Sequence, residues 1–162
     1  MSFTCFVSIE GEKQGKFKGE PALSKLGTEK ITVTNFNSAI NVPHDAASGQ
    51  VSGKRQYVPV VFIKELGEAS PQLTAAVVQN EVLKSVLFEF VRTTATGKEE
   101  VFYTIKLTNA HIVTREMFTE TSLARVPAAT RELERIGLTF QKIEVEHVVG
   151  KTTASDDWEV SQ

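Results

Sequence analysis

The chain has 162 residues, 41% of them hydrophobic and 23% charged, with a formal net charge of -2. That length fits one domain, residues 1–162, with a real core, and the charge balance argues against a dedicated nucleic-acid binder, which carries a basic stripe. One cysteine, Cys5, excludes an intrachain disulfide, and no run approaches the roughly 18 apolar residues of a membrane span.

In chain order the signals are mostly β. Phe3–Glu10 is rich in strand formers, and Cys5 sits among Phe3, Phe6 and Val7 as a buried strand thiol. The N-terminus has no basic region, long apolar stretch or cleavage site, so the sequence reads as cytoplasmic. Lys30–Phe36 alternates, with Ile31 and Val33 on one face and Thr32 and Thr34 on the other.

The next stretch, Asn41 to Pro59, reads N-V-P-H-D-A-A-S-G-Q-V-S-G-K-R-Q-Y-V-P. It is a polar insertion between two strand-like runs, much longer than the usual hairpin link of about two to five residues. Loops of that length are functional or disordered. Its S-G-Q-V-S-G-K-R segment is no phosphate-binding loop. Three residues, not four, precede Gly53-Lys54, Arg55 stands where a metal-binding hydroxyl belongs, and a strand follows in place of a helix. Asp45 suits a turn capped by its own side chain.

Tyr57–Leu66 is a strand. Ser70 then reads as an N-cap, with Pro71 at the first helical position and Leu73, Ala76, Val77 and Asn80 at helical spacing, which predicts one helix of about three turns. Leu83–Thr94 and Glu100–Arg115 are strands joined by a turn at Ala95–Lys98, where Gly97 supplies a positive φ. Met117–Thr130 is ambiguous, and Pro127 limits any helix there. In Arg131–Val149 the apolar residues change phase, from even-numbered Ile136, Leu138 and Phe140 to odd-numbered Ile143, Val145 and Val149. Either a bulge falls near Gln141-Lys142 or the strand passes between two buried environments. The tail after Gly150 is polar until Trp158, which docks on its own domain or on a neighbour.

Val58–Ile63 and Val86–Val91 are apolar on both faces. A barrel strand needs only an apolar inner face, so outward apolar surface is a candidate subunit interface. No histidine shares a local metal-ligand spacing with another His or with Cys5, and no nucleophile elbow is present. Glu99-Glu100 and Asp156-Asp157 point opposite ways in extended chain, so neither pair shares an acid/base site. These observations predict no catalytic residue, cofactor or metal.

H-D-x-x-S-G-x-x-S-G-K-R with a following proline resembles the haemolysin-coregulated protein (Hcp) family, the tube subunits of bacterial type VI secretion systems. C-F-V-S-I-E-G at Cys5–Gly11, K-E-L-G-E-A-S-P-Q-L at Lys64–Leu73 and S-D-D-W at Ser155–Trp158 resemble it too, in the same order. The resemblance implies a mainly β fold, a closed β-barrel of two sheets with one flanking α-helix and a long extended loop. It implies a homohexameric ring that stacks into a hollow tube, a valine-glycine repeat spike, contractile sheath and baseplate proteins as partners, and, in some members, small effectors in the lumen. Such a protein is cytoplasmic before firing and then secreted without a signal peptide. Neither nucleic acid nor membrane is implied as a partner. In the resembling family the equivalent loop reaches the neighbouring ring, which makes His44, Asp45, Ser48, Gly49, Ser52, Gly53, Lys54 and Arg55 the expected ring-stacking residues; from their charge, Lys54 and Arg55 are then expected to meet acids of the next ring, among Glu144, Glu146, Asp156 and Asp157. The resemblance carries no contact onto Phe118–Arg131. The alternative reading is a small-molecule-binding β-barrel, its cavity lined by Phe88, Phe90, Phe102 and Phe140.

Overall fold

A computed structural model describes residues 3–20, 24–120 and 131–158. The chain is mainly β. Its strands are β1 (Cys5–Gly11), β2 (Gly15–Lys16), β3 (Ile31–Val33), β4 (Asn35–Asn41), β5 (Gln56–Glu65), β6 (Leu83–Thr93), β7 (Glu99–Glu120), β8 (Arg131–Thr139), β9 (Lys142–His147) and β10 (Thr152–Asp157), with one α-helix, α1 (Ser70–Val78), between β5 and β6. The main pairing path runs β2-β1-β6-β7-β8-β5-β4, with β3 on β1, β9 on β7 and β10 on β9. The path is open from β2 to β4.

The longest strand, β7, organises the rest. Its first half pairs β9, with Tyr103 opposite His147 and Thr108 opposite Lys142. Its second half pairs β8, from His111 opposite Thr139 to Glu120 opposite Arg131, with a register shift between Ile112 and Thr114. One strand therefore serves two partners in turn, passing from β9 to β8 between Thr108 and His111. This accounts for the phase change in Arg131–Val149. The run is two strands, broken at Phe140-Gln141, that face different halves of β7. Of the ambiguous connection, Met117–Glu120 extends β7, and residues 121–130 lie outside the described residues.

Alternate positions build the core. Val60 and Phe62 of β5, Val86 and Phe88 of β6, Leu107 of β7 and Ile136 and Leu138 of β8 are fully buried. Phe88 packs edge-to-face on Phe36 and Phe62, with ring centroids 4.8 and 5.5 Å away, so it fills the core instead of lining a ligand cavity. The outward residues Val61, Ile63 and Leu87 of the two-sided strands are half-buried. Gly97 closes the β6–β7 turn at φ 83, the region open to glycine. Buried Leu73 and Ala76 hold α1, which packs against β7.

Ser70 is not the helix cap. The N-cap position is Ala69, with helical φ and ψ and no side-chain cap bond. The Ser70 hydroxyl turns inward instead. It accepts from Lys64 Nζ at 3.2 Å and from the Gly67 amide at 3.0 Å, and donates to Glu134 Oε1 at 2.7 Å. A buried ionic partner outcompetes the exposed amides of the first turn for this hydroxyl. Lys64 and Glu134 are both fully buried and lie 2.7 Å apart. Lys64 Nζ also donates to the Glu65 carbonyl at 2.7 Å and lies 2.8 Å from Glu20 Oε1, while Arg115 reaches Glu134 Oε2 at 3.1 Å. Two cations and two carboxylates thus balance, as buried charges must. Gly67 makes room for them: a Cβ there would stand 2.5 Å from the Glu20 carboxyl carbon. The K-E-L-G-E-A-S segment is this cluster's binding frame.

Candidate assembly surface: the long arm and its base

β4 and β5 continue past the sheet as a hairpin arm, residues 42–55. Its tip is ordered by its own polar groups. Asp45 Oδ1 accepts from the Ala47 amide at 3.0 Å and Oδ2 from the Ser48 hydroxyl at 2.9 Å. These two bonds, the Ala47 amide first, hold the Asp45 carboxyl below its usual range. The Ser48 hydroxyl in turn accepts from the Gln50 amide at 3.3 Å. Gly49 sits at φ 75 and donates its amide to the Asp45 carbonyl at 2.8 Å. His44 bridges Val51, and the Ser52 amide donates to the Pro43 carbonyl at 2.9 Å. Gly53 lies beside Pro43. His44, Asp45, Ser48, Gly49, Ser52 and Gly53 therefore form one compact tip, and the expected turn role of Asp45 is present. Lys54 is exposed at the arm's base.

Arg55 differs from the expectation. It pairs within its own chain, Nη2 donating to Asp156 Oδ1 at 2.9 Å and Nε to Oδ2. A planar guanidinium matches a carboxylate in this two-bond form. The Tyr57 hydroxyl joins at 2.6 Å. Burial, and then the Asp156 carboxylate, raise the Tyr57 pKa, and the same carboxylate raises that of Arg55. Trp158 docks on its own domain, 5.3 Å from the Tyr57 ring and 5.9 Å from that of Phe140, with its amide on the Gln141 carbonyl. The C-terminal strand thus clasps the base of the arm.

The sequence reading missed the arm's apolar stripe. Ile40 and Val42 are two apart in extended chain, and Val51 lies opposite His44, so all three share one face. They are 53%, 42% and 64% exposed. The alternation in A-I-N-V carried the signal, but a lone valine in a polar loop reads as incidental. Among the described residues no group of three or more His, Cys, Asp or Glu is placed to hold a metal ion. His147 Nδ1 accepts from the Gly150 amide at 2.8 Å. Burial, foremost, pushes the Cys5 thiol up to about 12, so it is no thiolate nucleophile at neutral pH.

Several known proteins are similar to this chain. The family model described as "Type VI secretion system effector, Hcp" matches residues 6–147. The "Major exported protein" of Pseudomonas aeruginosa is 34% identical over 166 residues, spanning 98% of this chain and 96% of that protein. The "Crystal structure of Hcp protein" superimposes with a TM-score of 0.88 at 28% identity, covering 97% of this chain and 98% of the other. "Secreted protein Hcp3 from Pseudomonas aeruginosa" gives 0.79 at 29% identity, covering 97% and 99%.

Proposed function

We propose, from the premise that this chain belongs to the Hcp family of type VI secretion proteins, that it is the ring subunit of a secretion tube. Six copies close into a ring, and rings stack into a hollow tube that leaves the cell with a valine-glycine repeat spike. Sheath and baseplate proteins surround it before firing, and small effectors travel in the lumen. The subunit performs no reaction.

Within one subunit the wall closes into a barrel through residues 31–41. β3 pairs β1, with Cys5 opposite Val33, and β4 pairs β5, with Asn35 opposite Ile63. Only Thr34 separates them, and its amide donates to the Ile63 carbonyl at 2.8 Å. Strands β3 and β4 thus link β1 to β5, which supports the barrel reading.

The observation that carries the reading is the arm. It is ordered, projects beyond the sheet, and exposes three aliphatic side chains on one face. Exposed apolar surface of this kind marks a contact with another molecule, and a heterologous contact repeated between identical subunits propagates a stack. The test replaces Ala46–Gly53 with a short Gly-Ser turn. Intact single rings, no tubes and lost secretion are expected. Normal tubes, or unfolded monomers, would refute the arm's role.

A further inference from the structure

Where β8 and β9 part on β7, a cleft opens. β9 pairs β7 as far as Lys142 opposite Thr108, and β8 pairs it from Thr139 opposite His111. Asn109 and Ala110, between them, pair neither strand. Diverging strands leave a crevice in a sheet, a place suited to small molecules. This one measures ≈ 680 Å³ and is lined by Asn109, His111, Phe140, Gln141 and Trp158 among others, with Glu12 facing it from the turn after β1.

Asn109 is shaped for the position. Its φ is 51, a region that side chains other than glycine rarely enter, and such backbone marks functional sites. Its Nδ2 donates to Gln141 Oε1 at 2.9 Å, and Gln141 Nε2 donates to Asp157 Oδ2 at 3.3 Å. This chain of amides fixes the orientation. It leaves Asn109 Oδ1 and the second Nδ2 hydrogen, an acceptor and a donor side by side on one planar group. Two hydroxyls on neighbouring carbons match that pair. The Trp158 indole lies 5.9 Å from the Phe140 ring, inclined by 35°, with Tyr57 at 5.3 Å. It is backed by protein yet 36% exposed, so it presents fixed aromatic surface to solvent. With His111 neutral, Glu12 is the sole formal charge on the lining, and a carboxylate repels anionic ligands.

From these features we infer that the cleft is a saccharide site and takes a glucose-configured pyranoside. In that sugar every ring hydroxyl is equatorial, so each broad side is a sheet of C–H groups that rests flat on an indole. An axial hydroxyl would wedge the two apart. With the ring on Trp158, vicinal hydroxyls at its edge reach the donor and acceptor of Asn109, and Glu12 and His111 accept from the hydroxyls beyond. One chain supplies every contact, so binding is independent of ring or tube formation.

Trp158 is the only tryptophan of the chain, so its emission reports on the cleft directly. Titrating the full chain with cellotriose, a soluble trimer of β-linked glucose, should change that emission saturably. Half the change is expected at roughly millimolar sugar, the strength of an open cleft that leaves its ligand partly solvated. Sorbitol, which has the hydroxyls but no flat ring, should leave the emission unaltered. Asn109→Gly keeps the positive φ without strain. It should weaken binding at least about tenfold at an unchanged melting temperature. Glu12→Ala, at an exposed position, should weaken it too. No saturable change with cellotriose, an equal change with sorbitol, or undiminished affinity in either variant would overturn the saccharide site.

Discussion

Arg55 and Asp156 join the base of the long arm to the C-terminal strand by two hydrogen bonds, across 101 positions of sequence. The bond fixes the direction in which the arm leaves the sheet, and Tyr57 and Trp158 pack beside it. Arm geometry is therefore a property of β10 as much as of the arm's own sequence.

Asp156→Asn should accordingly loosen the arm without unfolding the domain. Amide hydrogen exchange in residues 43–55 should speed up, while β6 and β7 keep their protection. Tube formation should fall with ring mass unchanged. Uniform exchange across the chain would show that the pair holds the fold and not the arm.

Lys64→Ala should be far more damaging. It strands Glu134 and Glu20 in the interior with one cation fewer, and breaking a buried pair in this way costs about 3–5 kcal/mol. Ser70→Ala should cost about 1–3 kcal/mol, from the broken bonds to Lys64 and Glu134 and not from a lost cap. Urea melts measure both. Equal midpoints for Lys64→Ala and wild type would contradict the cluster.

Much of this was legible in the residues. The period of two located β3 and the first half of β7, because one face of each is buried, whereas strand-former content located β1 and runs apolar on both faces located β5 and β6. The Ser70-Pro71 pair placed the helix start, yet capping preference is a local rule, and a buried lysine six positions earlier overrode it. Nothing in the sequence pairs Lys64 with Glu134 or Arg55 with Asp156, since such contacts exist only once distant strands align. Arg131–Val149 announced its break by a change of parity, but which of two causes applied depended on how β7 divides between its partners.

Glu81 gives a pH signature. It is 1% exposed, and its carboxylate accepts from the Lys13 amide at 3.0 Å, the Gln14 amide at 2.8 Å and the Gln14 side chain at 2.9 Å. Burial raises its pKa, but the bonds from Gln14 and Lys13 outweigh this and hold it below the usual 4.5. A folded-state value below the unfolded one gives stability that is present above the usual carboxylate pKa and lost as pH falls through the folded value. The stability gap between wild type and Glu81→Gln should therefore be full at neutral pH and shrink in acid below about pH 4.5. A gap independent of pH would assign the effect to packing alone.

The central claim is self-assembly, and the mass of the protein in solution tests it most directly. Light scattering on the purified chain at micromolar concentration should give six times the 17.8 kDa of one subunit, or stacks of that unit. A single species at 17.8 kDa across that range would contradict the account.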